Sequence, residues 1–218
     1  MRIRWNASDP APELIGHFDE FAIFLEGRRL FSRRTQALVW ANIKRFADVI
    51  GPGHDAVNKA GWHYTPTAPF CFTASSHGQL VAAAWATHIR AESGKHGCNL
   101  AYALLSDVEG RGLAKLLAAL AFHALFNEIP KIGFVNIQSQ ASNERSTILA
   151  RSFGMQLVPE EGFDAVQPGS DAVTSYCTYR IGAQAFASTV KLVLAQRLRS
   201  HGNDHGVKES ARNQAEPT

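Results

Sequence analysis

Two glycines and an arginine stand where a short apolar run gives way to a long apolar helix pattern. The stretch is Glu109-Gly110-Arg111-Gly112-Leu113-Ala114, between LAYALLSD and KLLAALAFHALFNE. Glycine lets a backbone turn tightly and approach a ligand closely. The first N–H groups of a helix have no intrahelical partner, and that end carries a partial positive charge. A phosphate placed there satisfies both, and Arg111 adds a full charge. A second strand-like run, KIGFVNIQSQ, comes next. Asn143-Glu144-Arg145-Ser146 then opens a helix that ends at Phe153-Gly154-Met155. Strand, glycine loop, helix, strand, helix is a layout for holding a pyrophosphate on backbone N–H groups. It points to a nucleotide-bearing cofactor.

Known phosphate loops discriminate among such cofactors. A dinucleotide fingerprint needs a third glycine, but Gly112 is followed by Leu113, Ala114 and Lys115. No G-x-x-x-x-G-K-[ST] loop is present. Glu109-x-x-Gly112-x-Ala114 instead resembles the Q/R-x-x-G-x-G/A loop of the GNAT family of N-acetyltransferases. Asn143, the small Ser146, apolar Leu149 and the pair Gly154-Met155 have the order and spacing of that family's next helix. The resemblance covers about residues 70–180, and residues 100–155 are its specific part.

The resemblance implies acetyl-CoA as acyl donor, with direct attack by an amine, no acyl-enzyme and no metal. The pantetheine arm would lie between two parallel strands ending near Leu104-Leu105 and Ile137-Gln138. A backbone N–H near Leu105 would meet the thioester oxygen. Gly110, Arg111, Gly112, Leu113 and Ala114 would surround the pyrophosphate, and Asn143 would hydrogen-bond the arm. Two positions depart from the family pattern. Glu109 replaces Gln or Arg, so its carboxylate must point away or pair with Arg111 or Lys115. Ala150 stands where many family members place a tyrosine that protonates the leaving thiolate. Tyr102, on the strand before the loop, is a candidate acid in its place. Candidate bases are His88 and Glu92 at a strand end, His63 in an aromatic loop, and Ser106 or Asp107 beside the glycine loop. Histidine has a suitable pKa, and His88 is narrowly preferred.

These residues need a scaffold. Ile3 and Trp5 alternate with polar residues and predict a first strand over 1–7. Asp9-Pro10-Ala11-Pro12 reads as a helix start, with Leu14, Ile15, Phe18, Phe21, Ala22 and Leu25 tracing a helix to about Leu25. A second helix is expected from about Ser32 to Ile50, closed by Gly51-Pro52-Gly53. Residues 54–68 have no clear period and carry Gly61-Trp62-His63-Tyr64-Thr65-Pro66. Strands follow at about 69–75 and 79–90 around the turn Ser76-His77-Gly78, and then at 98–106. After the loop and its helix come a strand at 132–138, the Asn143 helix, a strand at 172–181 and a helix at 184–199. The expected order, β-α-α-β-β-β-α-β-α-β with an extra C-terminal helix, is that of the GNAT fold: a mixed α/β sheet with helices on both faces. The domain would span residues 1–183, followed by the C-terminal helix to 200. The polar segment 201–218 reads as disordered.

The 218 residues suit one domain, and 45% hydrophobic with 19% charged residues is ordinary for a globular protein. No apolar run reaches the roughly 18 residues of a transmembrane span, and MRIRWNASDP lacks a signal-peptide core. No membrane partner and a cytoplasmic location are therefore expected. Cys71, Cys98 and Cys177 are widely spaced, show no CxxC pattern, and read as buried free thiols. The histidines form no HExxH-like metal motif. The net charge of +3 is mild, but Arg28, Arg29, Arg33, Arg34, Lys44 and Arg45 gather near the N-terminus. Such a cluster suits a solvated face or an acidic partner, nucleic acid included. Three functions follow: an acetyl-CoA-dependent N-acetyltransferase on an amine, the same fold acting on a nucleic-acid-borne acceptor such as aminoacyl-tRNA or a DNA base, or a non-catalytic CoA-binding or interaction module. The chain is expected to be a monomer or a homodimer.

Overall fold

A computed structural model describes residues 12–25, 62–64, 70–91, 94–166, 172–197 and 199–200. The strand expected over 1–7, the helix over 32–50, the N-terminal basic cluster and the segment 201–218 lie outside these residues.

The helix expected to reach Leu25 is not formed. Residues Glu13–Phe18 (β1) and Phe21–Leu25 (β2) make an antiparallel hairpin, with Phe18 opposite Phe21. The apolar residues match a helical period, but Phe21 and Ile23 also alternate, and both are buried. Asp19 takes a left-handed conformation (φ 51°) in the two-residue turn, which aspartate tolerates. The deciding term is non-local: Ala22–Leu25 pairs with Phe72–Ser75 on the next strand of the sheet.

That strand is β4 (Phe70–Ser76), followed by β5 (Gln79–Ala91), β6 (His96–Leu104), β7 (Phe134–Gln140) and β10 (Val173–Gly182). Short strands β3 (Trp62–Tyr64), β8 (Gln156–Leu157), β9 (Phe163–Val166) and β11 (Arg199–Ser200) complete the sheet. Its order is β11-β1-β2-β4-β5-β6-β7-β10-β8, with β3 on β5 and β9 on β10. Among the described residues all pairings are antiparallel except β6 with β7. The aromatic segment expected to be a loop thus contributes Trp62–Tyr64 as strand, opposite Ile89–Ala91.

Helices α1 (Leu113–Glu128), α2 (Glu144–Ser152) and α3 (Ala183–Arg197) follow the expected positions. Leucine and alanine dominate α1, both strong helix formers, and Leu116, Leu117, Ala118, Ala119, Ala121 and Phe122 are fully buried. An apolar helix of this kind needs cover on most sides. It receives β4, β5 and β6 beneath it and α3 beside it. Small side chains at Ala82, Ala84 and Ala86 of β5 form the floor of this cluster. Phe122, Phe153 and Phe186 meet edge-to-face and tie α1, the end of α2 and α3 together. Pro130 cannot continue α1, whose last turn ends at Ile129. Among the described residues no helix is long and apolar enough to cross a membrane. Cys71 and Cys98 are buried and Cys177 is half-buried, none of them in a disulfide.

Candidate active site

The parallel strands β6 and β7 pair from Gly97↔Phe134 to Leu100↔Ile137. There the ladder stops, although β6 runs on to Leu104 and β7 to Gln140. The exposed edge can be assigned by alternation. Leu105 N–H donates to the Val81 carbonyl on β5 (2.9 Å). Successive residues of a strand turn their backbone groups to opposite sides, so Ala103 also faces β5. Tyr102 and Leu104 face β7, with no strand partner there among the described residues. The amide offered to the gap is therefore that of Leu104 or Tyr102, whereas the amide of Leu105 is spent on β5.

The glycine loop closes this gap at one end. Gly110 (φ 77°) and Gly112 (φ 83°) are both left-handed, a conformation that costs other residues about 1–2 kcal/mol. Gly112 is the N-cap of α1 and provides no side-chain cap. The first intrahelical bond shown runs from Leu116 N–H to the Gly112 carbonyl (3.1 Å). The N–H groups of Leu113, Ala114 and Lys115 are left without intrahelical acceptors. Their dipole end favours an anion.

The charged groups around the loop are placed unexpectedly. Glu109 pairs with Arg145, not with Arg111 or Lys115. Arg111 turns to the β1–β2 hairpin: its Nη2 donates to Glu20 (2.7 Å), and its guanidinium lies 4.6 Å from the Phe21 ring centre. That bond holds the Glu20 carboxyl below its usual range. Lys115 donates to the Ser152 carbonyl (2.9 Å). Arg197, from the far end of α3, lies against Gly112: a Cβ on that glycine would be 3.1 Å from Arg197 Cζ. Nothing in the spacing of the sequence marks Arg197. Read locally, it is a cation at a helix C-terminus, which needs no further reason.

The other wall of the gap is the start of α2. Asn143 caps it, its side chain accepting from Ser146 N–H (3.1 Å), and its own N–H donates to the Gln140 carbonyl (2.9 Å). The Nδ2 donors of Asn143 have no partner among the described residues. Tyr102 reaches across from β6 and donates its hydroxyl proton to Ser146 Oγ (2.7 Å). Burial pushes the Tyr102 pKa up, so the phenol stays protonated at neutral pH. Ala150, one turn beyond Ser146, is fully buried. A phenol thus arrives at α2 from the strand, whereas the helix position Ala150 provides none. Ser139, also on β7 beyond the end of the ladder, is buried, and its hydroxyl has no hydrogen-bond partner among the described residues.

His88 lies elsewhere. It faces Cys98 on β6, on the closed side of the ladder end, whereas Tyr102 is on the open side. Cys98 and Tyr102 are about 13 Å apart along the strand at ~3.3 Å per residue. His88 Nε2 and His96 Nδ1 form a hydrogen bond of 2.8 Å. The structure does not bring His88 to the gap, and His63 lies further out, opposite Arg90. Ser106 and Asp107 form a single turn just before the glycine loop. Glu92 lies outside the described residues. Among the described residues no group of three or more His, Cys, Asp or Glu side chains could hold a metal ion.

The histidine pair has its own consequence. Burial comes first, with His96, Lys131 and Arg90 adding repulsion, in lowering the pKa of His88, and burial lowers that of His96. Both rings stay neutral in the fold where the unfolded chain takes up protons. Stability is therefore full above the unfolded histidine pKa of about 6.5 and is lost as pH falls toward the lower folded values. Thermal unfolding between about pH 7 and pH 5 should show Tm falling with pH. The fall should be shallower in His88→Gln; equal slopes would remove the pair as its cause.

The family model described as Acetyltransferase (GNAT) family matches residues 37–155, more than half of the chain. Comparison with curated proteins gives no match. The ribosomal-protein-S5-alanine acetyltransferase of Vibrio fischeri is similar in structure at a TM-score of 0.52 and 10% identity, covering 78% of this chain and 97% of that one. An N-acetyltransferase from Staphylococcus aureus Mu50 is similar at 0.50 and 12%, covering 75% and 98%. The chain spans 66% of the length of a GNAT-family acetyltransferase from Streptococcus pneumoniae, at 12% identity and a TM-score of 0.44 over 52% of this chain. These likenesses are in fold. The matched family model shows that the chain belongs to the GNAT family of acetyltransferases.

Proposed function

We propose that this protein transfers the acetyl group of acetyl-CoA directly to a primary amine. The observation that carries the reading is the end of the β6–β7 ladder at Leu100↔Ile137, beside a glycine loop that presents unpaired helix N–H groups. Members of this family generally use acetyl-CoA. The residues present suit it: a gap lined by free strand amides for an amide-bearing arm, and an anion site at one end.

Bound acetyl-CoA supplies an activated acyl group whose carbon–sulfur bond breaks as the amine's carbon–nitrogen bond forms. The N–H of Leu104 or Tyr102 is positioned to donate to the acyl oxygen. Gly110 and Gly112 bring the backbone close to the diphosphate, where the N–H groups of Leu113 and Ala114 would receive it. Asn143 offers its amide donors to the arm. Tyr102 holds the proton that the departing sulfur needs, exchanging its bond to Ser146 for one to the thiolate. No base is assigned; the ammonium proton leaves to a group near the gap or to water.

The acceptor is tested by a panel. Because one structural neighbour is named for acetylating an alanine of a ribosomal protein, alanine-initiated peptides belong in it, beside a lysine peptide and a polyamine. Acceptor-dependent release of free thiol from acetyl-CoA, with acetylated product found by mass spectrometry, is the expected result. Thiol release that no amine stimulates would overturn the reading.

A further inference from the structure

Arg197 is a cation in an unfavourable place. It belongs to the last turn of α3 and lies against Gly112, the N-cap of α1. That end of α1 is already positive, and Lys115 sits within its first turn. Arg111, next to Gly112, has Glu20 as a carboxylate partner, and Arg145 has Glu109 at the start of the glycine loop. Arg197 has none among the described residues; its contact is the Phe18 ring, 5.7 Å from the guanidinium to the ring centre. Burial first, and Arg197 second, depress the Lys115 pKa. Arg197 thus meets the helix N-terminus with no carboxylate paired to it among the described residues, and Lys115, bonded to the Ser152 carbonyl, adds a second cation; a phosphate anion would relieve this arrangement.

The guanidinium is held in place by the fold. Phe186, Val190 and Val193 of α3 are buried in the core, and β11, just beyond Arg197, pairs with β1. This fixes the end of the helix over the loop. A planar guanidinium fork matches phosphate oxygens in a way a lysine does not. We propose that Arg197 is a ligand of the acyl donor's diphosphate, so that α3 contributes to the cofactor site. The missing Cβ of Gly112 then has a second use, as the space the guanidinium occupies. The proposal rests on the acetyl-CoA reading above and adds a residue to that site.

Calorimetric titration of the full chain with acetyl-CoA and with 3′-dephospho-acetyl-CoA tests it. Arg197→Ala should weaken both ligands by about 10- to 100-fold, the loss of hydrogen bonds to a charged group. Arg197→Lys should fall between native and Arg197→Ala. Lys191→Ala, which removes an exposed cation from the same helix, should bind as the native chain does. Circular dichroism on each variant guards against unfolding, and Arg197→Lys keeps the test open if Arg197→Ala does not fold. Affinity within twofold of native in folded Arg197→Ala would overturn the proposal while leaving the acetyl-CoA reading intact. An effect confined to the ligand carrying the 3′-phosphate would also overturn it, by moving Arg197 to the other phosphate. No binding by the native chain would remove the acetyl-CoA reading and this proposal with it.

Discussion

Gly112→Val should cost roughly 100-fold or more in acetyl-CoA affinity while leaving the fold in place. Two effects act together. Gly112 sits at φ 83°, and a β-branched residue there costs at least the ~1–2 kcal/mol of any left-handed non-glycine residue. The chain relieves that strain by turning the peptide and re-aiming the first N–H groups of α1. The new side chain also fills the space now held by Arg197. Each charge-assisted bond lost is worth about 1.5–3 kcal/mol, and two such losses exceed a hundredfold at ~1.4 kcal/mol per factor of ten. Core residues are untouched, because Gly112 lies outside the buried cluster. Calorimetry with thermal unfolding separates the two outcomes: a lost site with a modest drop in Tm is expected. Unchanged affinity would show that the loop does not touch the ligand.

Tyr102→Phe should lower kcat by about 100-fold, the lower range for a positioned acid, with acetyl-CoA affinity nearly unchanged. The ring still packs against the core, so the change removes one proton and one hydrogen bond. Ser146 loses a donor but keeps its backbone bond to Asn143, so the stability cost is about 1 kcal/mol. The pH profile provides the distinguishing readout. The Tyr102 pKa is raised by burial, so the protonated phenol persists beyond the ordinary tyrosine value of about 10. Activity of the native enzyme should decline only as that phenol ionises, and this alkaline limb should vanish in Tyr102→Phe. A variant with lowered Tm but native kcat would make Tyr102 a packing residue and leave the thiolate to depart unassisted.

Both predictions concern residues legible in the sequence, and the reason is locality. A glycine pair before an alanine- and leucine-rich segment determines a loop and a helix start within a few residues. Asn143, Ser146 and Gly154 set a cap and a stop in the same way, and Gly154 is indeed left-handed at the end of α2. The misread segment, 13–25, carried both a helical and a strand period. Pairing with β4 decided between them, and that partner is distant in sequence. Arg197 was silent because its meaning depends on Gly112, which the core packing of α3 brings to it. Glu20 was silent for the same reason. His88 was favoured as a histidine at a strand end, and the strand register places it opposite Cys98, bonded to His96. The residue type of Glu109 raised a question whose answer lies across space in Arg145; for Ala150 the proposed substitute is Tyr102, which reaches Ser146 one turn before it.

The most direct measurement is calorimetric titration of the native chain with acetyl-CoA. One site per chain with a micromolar dissociation constant, lost in Gly112→Val, is the expected result. No heat of binding at millimolar acetyl-CoA from a folded protein would contradict it, leaving a family fold that serves a different acyl donor or none.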